Sequence, residues 1–405
     1  MVSIDQRTRT DAEQDPLDLE EFFDVQLPEL AAERSHLAAP GALELGVEPF
    51  TFDTPVGAWT MSIADRRVLV TRGSDGTAVQ RVDATELTDI VHDQRTPMTF
   101  LTAGSLTMLS GDLGDALDWW VVLRSLLDGR SVHTRGSVAF RDREGDPLDL
   151  HRSFGVDDDP DELAHFLAEA GYLHLRSVFT EDEMAEVSND MDAAAGTYEP
   201  DDGRSWWART TSGEHLAVRL QHFHEHSART AALLEDDRFL RIGRLTTDGH
   251  QSRREGNRVE ALFKPIGVVE GISDVPWHKD CSLGRHSYQC SGLTVGISVT
   301  GADERSGQLA VVAGSHRALV QPAFVRREWD LPIVDLPTGT GDVTVHCSCT
   351  MHMSHPPIDR ERRVMYSGFS MPPLAPDAAR ASLAALGQVR EQAHRTVSQA
   401  PGHLG

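Results

Sequence analysis

Apolar and polar side chains alternate along two short runs near the start of the chain, Trp59-Met61-Ile63 and Val68-Val70, with the turn-prone Ala64-Asp65-Arg66 between them. A period of two on either side of a polar break predicts a β-hairpin. The period then changes. In "DATELTDIVHDQ", Leu87, Ile90 and Val91 fall at helical spacing behind Asp83, whose carboxylate suits the open amides of a first turn. The stretch "GSLTMLSGDLGDALDWWVVLRSLLDG" predicts a strand, a Gly-Asp turn and an amphipathic helix ending at Gly129. Phe154 to Glu162, "FGVDDDPDE", is acidic and has no apolar period, which predicts a linker. Beyond it, Leu163, Phe166 and Leu167 form the apolar face of a helix, and Tyr172 to Leu175 read as a strand. Thr180 followed by Glu183 is a capping box opening the next helix. Residues 260–370 alternate short strands with glycine-containing turns, the texture of a double-sheet jelly roll.

Composition adds bounds. A chain of 405 residues exceeds the efficient size of one core, so two domains are expected. Asp and Glu number 63 against 38 Lys and Arg, a net charge of −25 that argues against a nucleic-acid partner. The first twenty residues lack the basic and apolar regions of a secretory signal, and Leu117–Leu127 is broken by Asp118 and Arg124, so no membrane span is expected. The four cysteines, Cys281, Cys290, Cys347 and Cys349, do not form a secreted disulfide framework, which suits a cytoplasmic protein.

The order hairpin, helix, strand, helix over residues 45–130 resembles the sterol-carrier-protein-2-like domain. That resemblance implies an apolar cavity for a lipid-like ligand. Against it stands a simpler reading, in which Trp119, Trp120 and Leu123 are plain core. The expected organisation is a flexible leader (1–22), a small α/β sterol-carrier-like domain (23–150), an acidic linker (151–162), a jelly-roll domain with flanking helices (163–390) and a tail (391–405). The fold class is α+β.

The chemistry-bearing residues lie in the second half. In "VPWHKD" an extended backbone points His278 and Asp280 to one face, supplying an imidazole and a carboxylate side by side. Alone, such a pair is common. Three further phrases follow in order: "GQLAVVAGSH" (Gly307 to His316), Gly341-Asp342, and His352-Met353-Ser354 with Arg363 eleven residues after His352. Together with the opening "FLAEAGYLHLRSVFTEDE", these phrases resemble the phytanoyl-CoA hydroxylase family of Fe(II)- and 2-oxoglutarate-dependent oxygenases across residues 160–370.

The resemblance implies a jelly roll in which His278, Asp280 and His352 bind Fe(II), with O₂ as co-substrate. By the same analogy Arg363 pairs with the distal carboxylate of 2-oxoglutarate, Ser354 adds a hydroxyl, and Lys264 is a candidate second contact. An arginine fork matches a carboxylate and stays charged when buried. His346 and His355 flank His352 and offer alternatives for the third ligand, although the spacing to Ser354 and Arg363 favours His352. Only one of Arg362 and Arg363 can face inward in a strand, and Arg362 is assigned to the surface. His316 is expected to be structural. A zinc site at Cys347 and Cys349 is disfavoured, because C-x-C is not the usual knuckle spacing. The expected reaction is hydroxylation of a small, hydrophobic or secondary-metabolite-like substrate, with desaturation and ring formation left open as variants by the motif. Asp280 occupies the position that halogenating relatives leave to a small residue. Candidate substrate residues are Trp206, Trp207, Arg209, Arg219, His222, His224 and His226. The rival reading is a non-catalytic carrier of a lipid-like ligand with a degenerate jelly roll.

Overall fold

The structure, a computed structural model, describes residues 16–93, 95–102, 104–200, 202–246, 249–252, 256–271, 275–283 and 292–371. Most of the expected leader, Cys290 and the expected tail lie outside these residues. The leader ends earlier than expected. Helix α1 (Leu19–Glu21), capped by Asp18, runs through a π-helical turn (Phe22–Gln26) into α2 (Leu27–Leu45), and Leu19, Phe22 and Phe23 are buried.

Then come β1 (Phe50–Thr54), β2 (Gly57–Ala64), β3 (Arg67–Arg72), β4 (Ala78–Arg81), α3 (Ala84–Val91), α4 (Pro97–Thr102), β5 (Thr107–Ser110) and α5 (Leu113–Asp128). The strands form one sheet in the order β3-β2-β1-β4-β5. Asp65 and Arg66 both have positive φ (49° and 60°), the geometry whose twist matches a tight hairpin. Capping boxes open α3 (Asp83 with Glu86) and α5 (Asp112 with Asp115). Phe22, Phe23, Phe50, Phe52, Trp59, Trp119 and Trp120 fill the space between sheet and helices, with Phe23 stacked on Trp59 at 4.9 Å. Here the plain-core reading of Trp119 and Trp120 describes what is seen.

The second half contains β6 (Phe154–Gly155), α6 (Pro160–Ala170), β7 (Tyr172–Arg176), α7 (Glu181–Ala195), β8 (Ser205–Thr210), β9 (His215–Leu220), α8 (Ala228–Leu233) and α9 (Asp237–Leu240). It continues with β10 (Gln251–Ser252), β11 (Glu260–Lys264), β12 (Val268–Glu270), β13 (Val275–His278), β14 (Leu293–Ser298), β15 (Leu309–Val312), β16 (Ile333–Leu336), β17 (Val343–Cys347), β18 (His352–Ser354) and β19 (Arg362–Ser370). A major sheet runs β12-β8-β9-β11-β19-β14-β17-β7-β6, with β10 paired to β19, and a minor sheet runs β13-β18-β15-β16. This is the double-sheet jelly roll that the glycine-punctuated strands predict.

Register sorts the side chains of the major sheet. Val295, Ile297, Val345, Met365 and Phe369 share one face and pack against the helices; Phe239 meets Phe369, and the Thr230 hydroxyl meets the Met365 sulfur. The alternate positions, Thr294, His346, Tyr366, Arg362 and Lys264, turn toward the minor sheet.

The halves are not independent. Leu319, from the segment after β15, is part of the N-terminal core, and Val132 bridges to it. Arg326 pairs with Asp118 at 2.6 Å, Met98 and Leu117 cluster with Ala323, and the His133 Nε2 lies 2.6 Å from the carbonyl of Trp329. Among the described residues no helix is long and apolar enough to cross a membrane.

Candidate metal centre and its anion pocket

The site forms where the two sheets face each other. His278 ends β13, and β13 pairs with β18 so that His278 lies opposite His352. The strand does not extend to Asp280, as the sequence suggests; a 3-10 turn begins there. Even so, both side chains reach one place, because Lys279 between them points the other way. Lys279 is fully buried, donates to the Ser315 carbonyl at 3.0 Å, and has its pKa lowered to about 8 by burial.

The ligand atoms of His278, Asp280 and His352 lie within 4.8 Å of one another. Asp280 Oδ1 is 3.4 Å from His278 Nε2 and 3.5 Å from His352 Nε2. Each imidazole is oriented from behind. Nδ1 of His278 donates to the Pro276 carbonyl at 2.8 Å, and Nδ1 of His352 donates to the Thr350 carbonyl at 2.9 Å. With the proton on Nδ1, the Nε2 lone pair of each ring faces the shared space, the tautomer a metal requires. Burial holds the His352 imidazole well below its usual pKa, aided by the neighbouring His346 and His278, so it is neutral near pH 7. Burial alone would raise the Asp280 carboxyl, but the imidazoles of His352, His278 and His346 outweigh it and hold it well below the usual range. Two imidazoles that present Nε2 and one carboxylate fit a divalent iron with open positions.

Of the two alternative histidines, His355 lies outside the cluster, 3.1 Å from Asp335. His346 does not: it is buried, and its ring centroid is 4.0 Å from that of His352. His316 is structural as expected. It donates from Nε2 to the Ala168 carbonyl, and burial lowers its pKa to about 4.

The two arginines exchange the places the sequence suggests. Arg363 falls on the helix-facing side of β19, where its guanidinium donates to Ser188 on α7 and pairs with Asp192 at 2.9 Å. It therefore does not reach the site. Arg362 is on the site-facing side and is buried, donating to the Gly307 carbonyl at 2.8 Å and the Ser354 hydroxyl at 3.3 Å, while its Nε makes no hydrogen bond. The cause is strand parity: Arg362, Val364 and Tyr366 share a face with Thr294, whose hydroxyl donates to Asp280 Oδ2 at 2.6 Å. Lys264, the register partner of Arg362, donates to Ser354 Oγ at 2.6 Å and to the His355 carbonyl at 2.5 Å. Two cations thus converge on one hydroxyl. Ser354 is two residues from His352 on the same face of β18, roughly 7 Å along the strand.

Asp342 of the Gly-Asp turn is structural. Its carboxylate accepts from the amides of Ser177 and Gly339 and from His174. Among the candidate substrate residues, Arg219 pairs with Glu260 and lies over the Trp206 ring, on the site-facing side of the major sheet. Arg209 pairs with Glu270 at the sheet edge, Trp207 packs near His215, and His222, His224 and His226 lie around the 3-10 turn after β9. Cys281 and Cys349 approach to 3.6 Å, a pairing not foreseen from the C-x-C spacing.

Comparisons with known proteins bear on this geometry. The family model for phytanoyl-CoA dioxygenase (PhyH) matches residues 167–364. A probable alpha-ketoglutarate-dependent hypophosphite dioxygenase of Stutzerimonas stutzeri is 24% identical over 206 residues, covering 46% of this chain and 69% of that protein. Among solved structures, EctD from S. alaskensis with 2-oxoglutarate and 5-hydroxyectoine is 21% identical, covering 58% of this chain and 84% of that one at a TM-score of 0.43. The non-heme alpha ketoglutarate dependent epimerase SnoN from nogalamycin biosynthesis is 19% identical, covering 54% and 88% at a TM-score of 0.42. Residues 167–364 form a phytanoyl-CoA dioxygenase (PhyH) family domain, and the chain that carries it is a 2-oxoglutarate-dependent dioxygenase.

Proposed function

We propose that this protein hydroxylates an unactivated C–H bond of a small organic substrate at an iron held by His278, Asp280 and His352. The observation that carries the reading is the convergence of two Nε2 lone pairs and one carboxylate on a single point, each imidazole locked by a backbone carbonyl. Bound there, Fe(II) with 2-oxoglutarate and O₂ would supply the oxidising chemistry, with succinate and CO₂ released.

The chain's own residues have distinct tasks. Asp280 brings a negative charge that offsets part of the metal's, and Thr294 fixes its rotamer. Arg362 and Lys264, meeting at Ser354, receive the distal carboxylate of 2-oxoglutarate in place of Arg363. The Arg362 Nε, buried and without a hydrogen bond, gains a partner when a carboxylate binds. The strand distance between His352 and Ser354 suits a five-carbon diacid chelated at one end and gripped at the other. The face shared by Thr294, Gly296 and Tyr366 is left to the substrate side. A hydrophobic or secondary-metabolite-like substrate remains the proposal for its class.

The test is an anaerobic titration of the protein with Fe(II) and 2-oxoglutarate, followed through the weak visible charge-transfer band. Wild type gives the band, and Asp280→Ala gives none. A folded Asp280→Ala protein with an unchanged band would overturn the ligand assignment.

A further inference from the structure

His346 is the side chain at this site to which neither the family phrases nor the proposed reaction gives a task. It lies on β17 opposite Thr294 of β14, facing the minor sheet. Its side chain is 1% exposed, yet neither ring nitrogen makes a hydrogen bond. Buried polar groups are satisfied in the great majority of cases, so an imidazole left this way beside a metal triad calls for an account.

The Asp280 carboxylate supplies it. Its two oxygens face different neighbours. Oδ1 looks to His278 and His352, at 3.4 and 3.5 Å, whereas Oδ2 receives the Thr294 hydroxyl at 2.6 Å and has His346 Nε2 at 3.5 Å. The gap from Nε2 to Oδ2 exceeds a hydrogen bond by roughly half an ångström, a distance that a small turn of the carboxylate closes.

Resting on the metal site proposed above, we infer that His346 is a positioning residue that donates from Nε2–H to Oδ2 of Asp280, so that with Thr294 it keeps this oxygen off the metal. Asp280 then binds through Oδ1 alone. The count of positions favours this over direct ligation. An octahedral ion with three protein ligands and a chelating 2-oxoglutarate has one position left for O₂, and either a fourth imidazole or a two-oxygen carboxylate would fill it. His346 thus helps keep the site open, acting through the aspartate.

The test compares wild type, His346→Phe and His346→Gln, the first conserving shape and the second a donor. Each is titrated anaerobically with Co(II), which reports affinity and, through its visible d–d bands, coordination. Electron spin-echo spectra of the Cu(II)-loaded proteins count bound imidazoles. Expected are two imidazoles in wild type and in both variants, a Co(II) Kd raised about 10- to 100-fold in His346→Phe with altered d–d bands, and recovery of most of that loss in His346→Gln. An unchanged Kd and spectrum in His346→Phe overturn the inference, as does an equal loss in both variants, which would mark a packing role. An imidazole count that falls by one in His346→Phe also overturns it, by making His346 a ligand. Wild-type protein that takes up no Co(II) rejects the metal centre itself, a result distinct from any of these.

Discussion

Replacing Arg362 and Arg363 in turn by Met separates the two readings of the 2-oxoglutarate site. Arg362 is 3% exposed and shares the Ser354 hydroxyl with Lys264. Removing one partner of a buried, hydrogen-bonded charge pair costs about 2–5 kcal/mol. In the free protein Arg362 already bonds the Gly307 carbonyl, and losing that contact weakens the variant before ligand arrives, so the middle of the range applies. At about 1.4 kcal/mol per decade, ~3 kcal/mol is a hundredfold rise in the Kd for 2-oxoglutarate. Arg363 behaves differently. Its partner Asp192 is 60% exposed, and such pairs contribute about 0–1 kcal/mol to the fold. Arg363→Met therefore leaves the Kd within about threefold of wild type. Both variants are titrated with 2-oxoglutarate under anaerobic Fe(II), with the charge-transfer band as readout and circular dichroism as the check on folding. A hundredfold loss in Arg363→Met with none in Arg362→Met would refute the parity argument and restore the spacing-based assignment.

Thr294→Val removes the hydroxyl from Asp280 Oδ2 and is expected to raise the Fe(II) Kd about tenfold, measured by the same titration. Hydrogen bonds from Arg238 hold the Glu183 carboxyl at about 2, aided by the Thr180 amide and opposed by burial. Its folded pKa is depressed, so the stabilisation is present above the unfolded value near 4.5 and is lost as pH falls toward 2. Glu183→Gln should therefore be less stable than wild type by about 2 kcal/mol at pH 6, the difference shrinking between pH 4.5 and 2 in urea denaturation. A difference that persists at pH 2 would contradict this. Gly341 has φ +80° and no room for a Cβ, which would meet the Phe179 carbonyl oxygen at 1.9 Å. Gly341→Ala is expected to cost about 2–3 kcal/mol and to lower Tm by about 5 °C or more, read by thermal melting.

The hairpin, the capped helices α3, α5 and α7, and the jelly-roll half were legible because each rests on a local rule: a period, a cap or a turn. The meeting of His278 and Asp280 was legible because His-x-Asp needs only that the residue between them point away, as Lys279 does. Helix α2 was not. Its buried face is built from small residues, Ala31, Ala38, Ala39 and Ala42, which leave little apolar contrast. Pro40-Gly41 in its middle reads as a break, although Gly41 serves close packing, since a Cβ there would meet Val132 at 2.4 Å. The arginine exchange was illegible for a different reason. Counting eleven residues from His352 assumes a fixed loop length, but strand parity is set by pairing with β11 and β14, which no count along one strand reveals. His346 was visible only as an ambiguity, because its approach to Asp280 depends on two sheets meeting.

The contacts that join the halves bear on how such a chain can be recombined. The acidic stretch near residue 155 looks like a seam where one module could be exchanged for another. Yet Leu319 is embedded in the N-terminal core, and Asp118 and Met98 hold the segment that carries Arg326 and Ala323. A chimera cut at the seam would inherit a core missing one of its own side chains and a buried carboxylate without its counterion. An exchange that keeps both cores intact therefore moves the N-terminal sheet together with residues 317–330, two pieces far apart in the sequence.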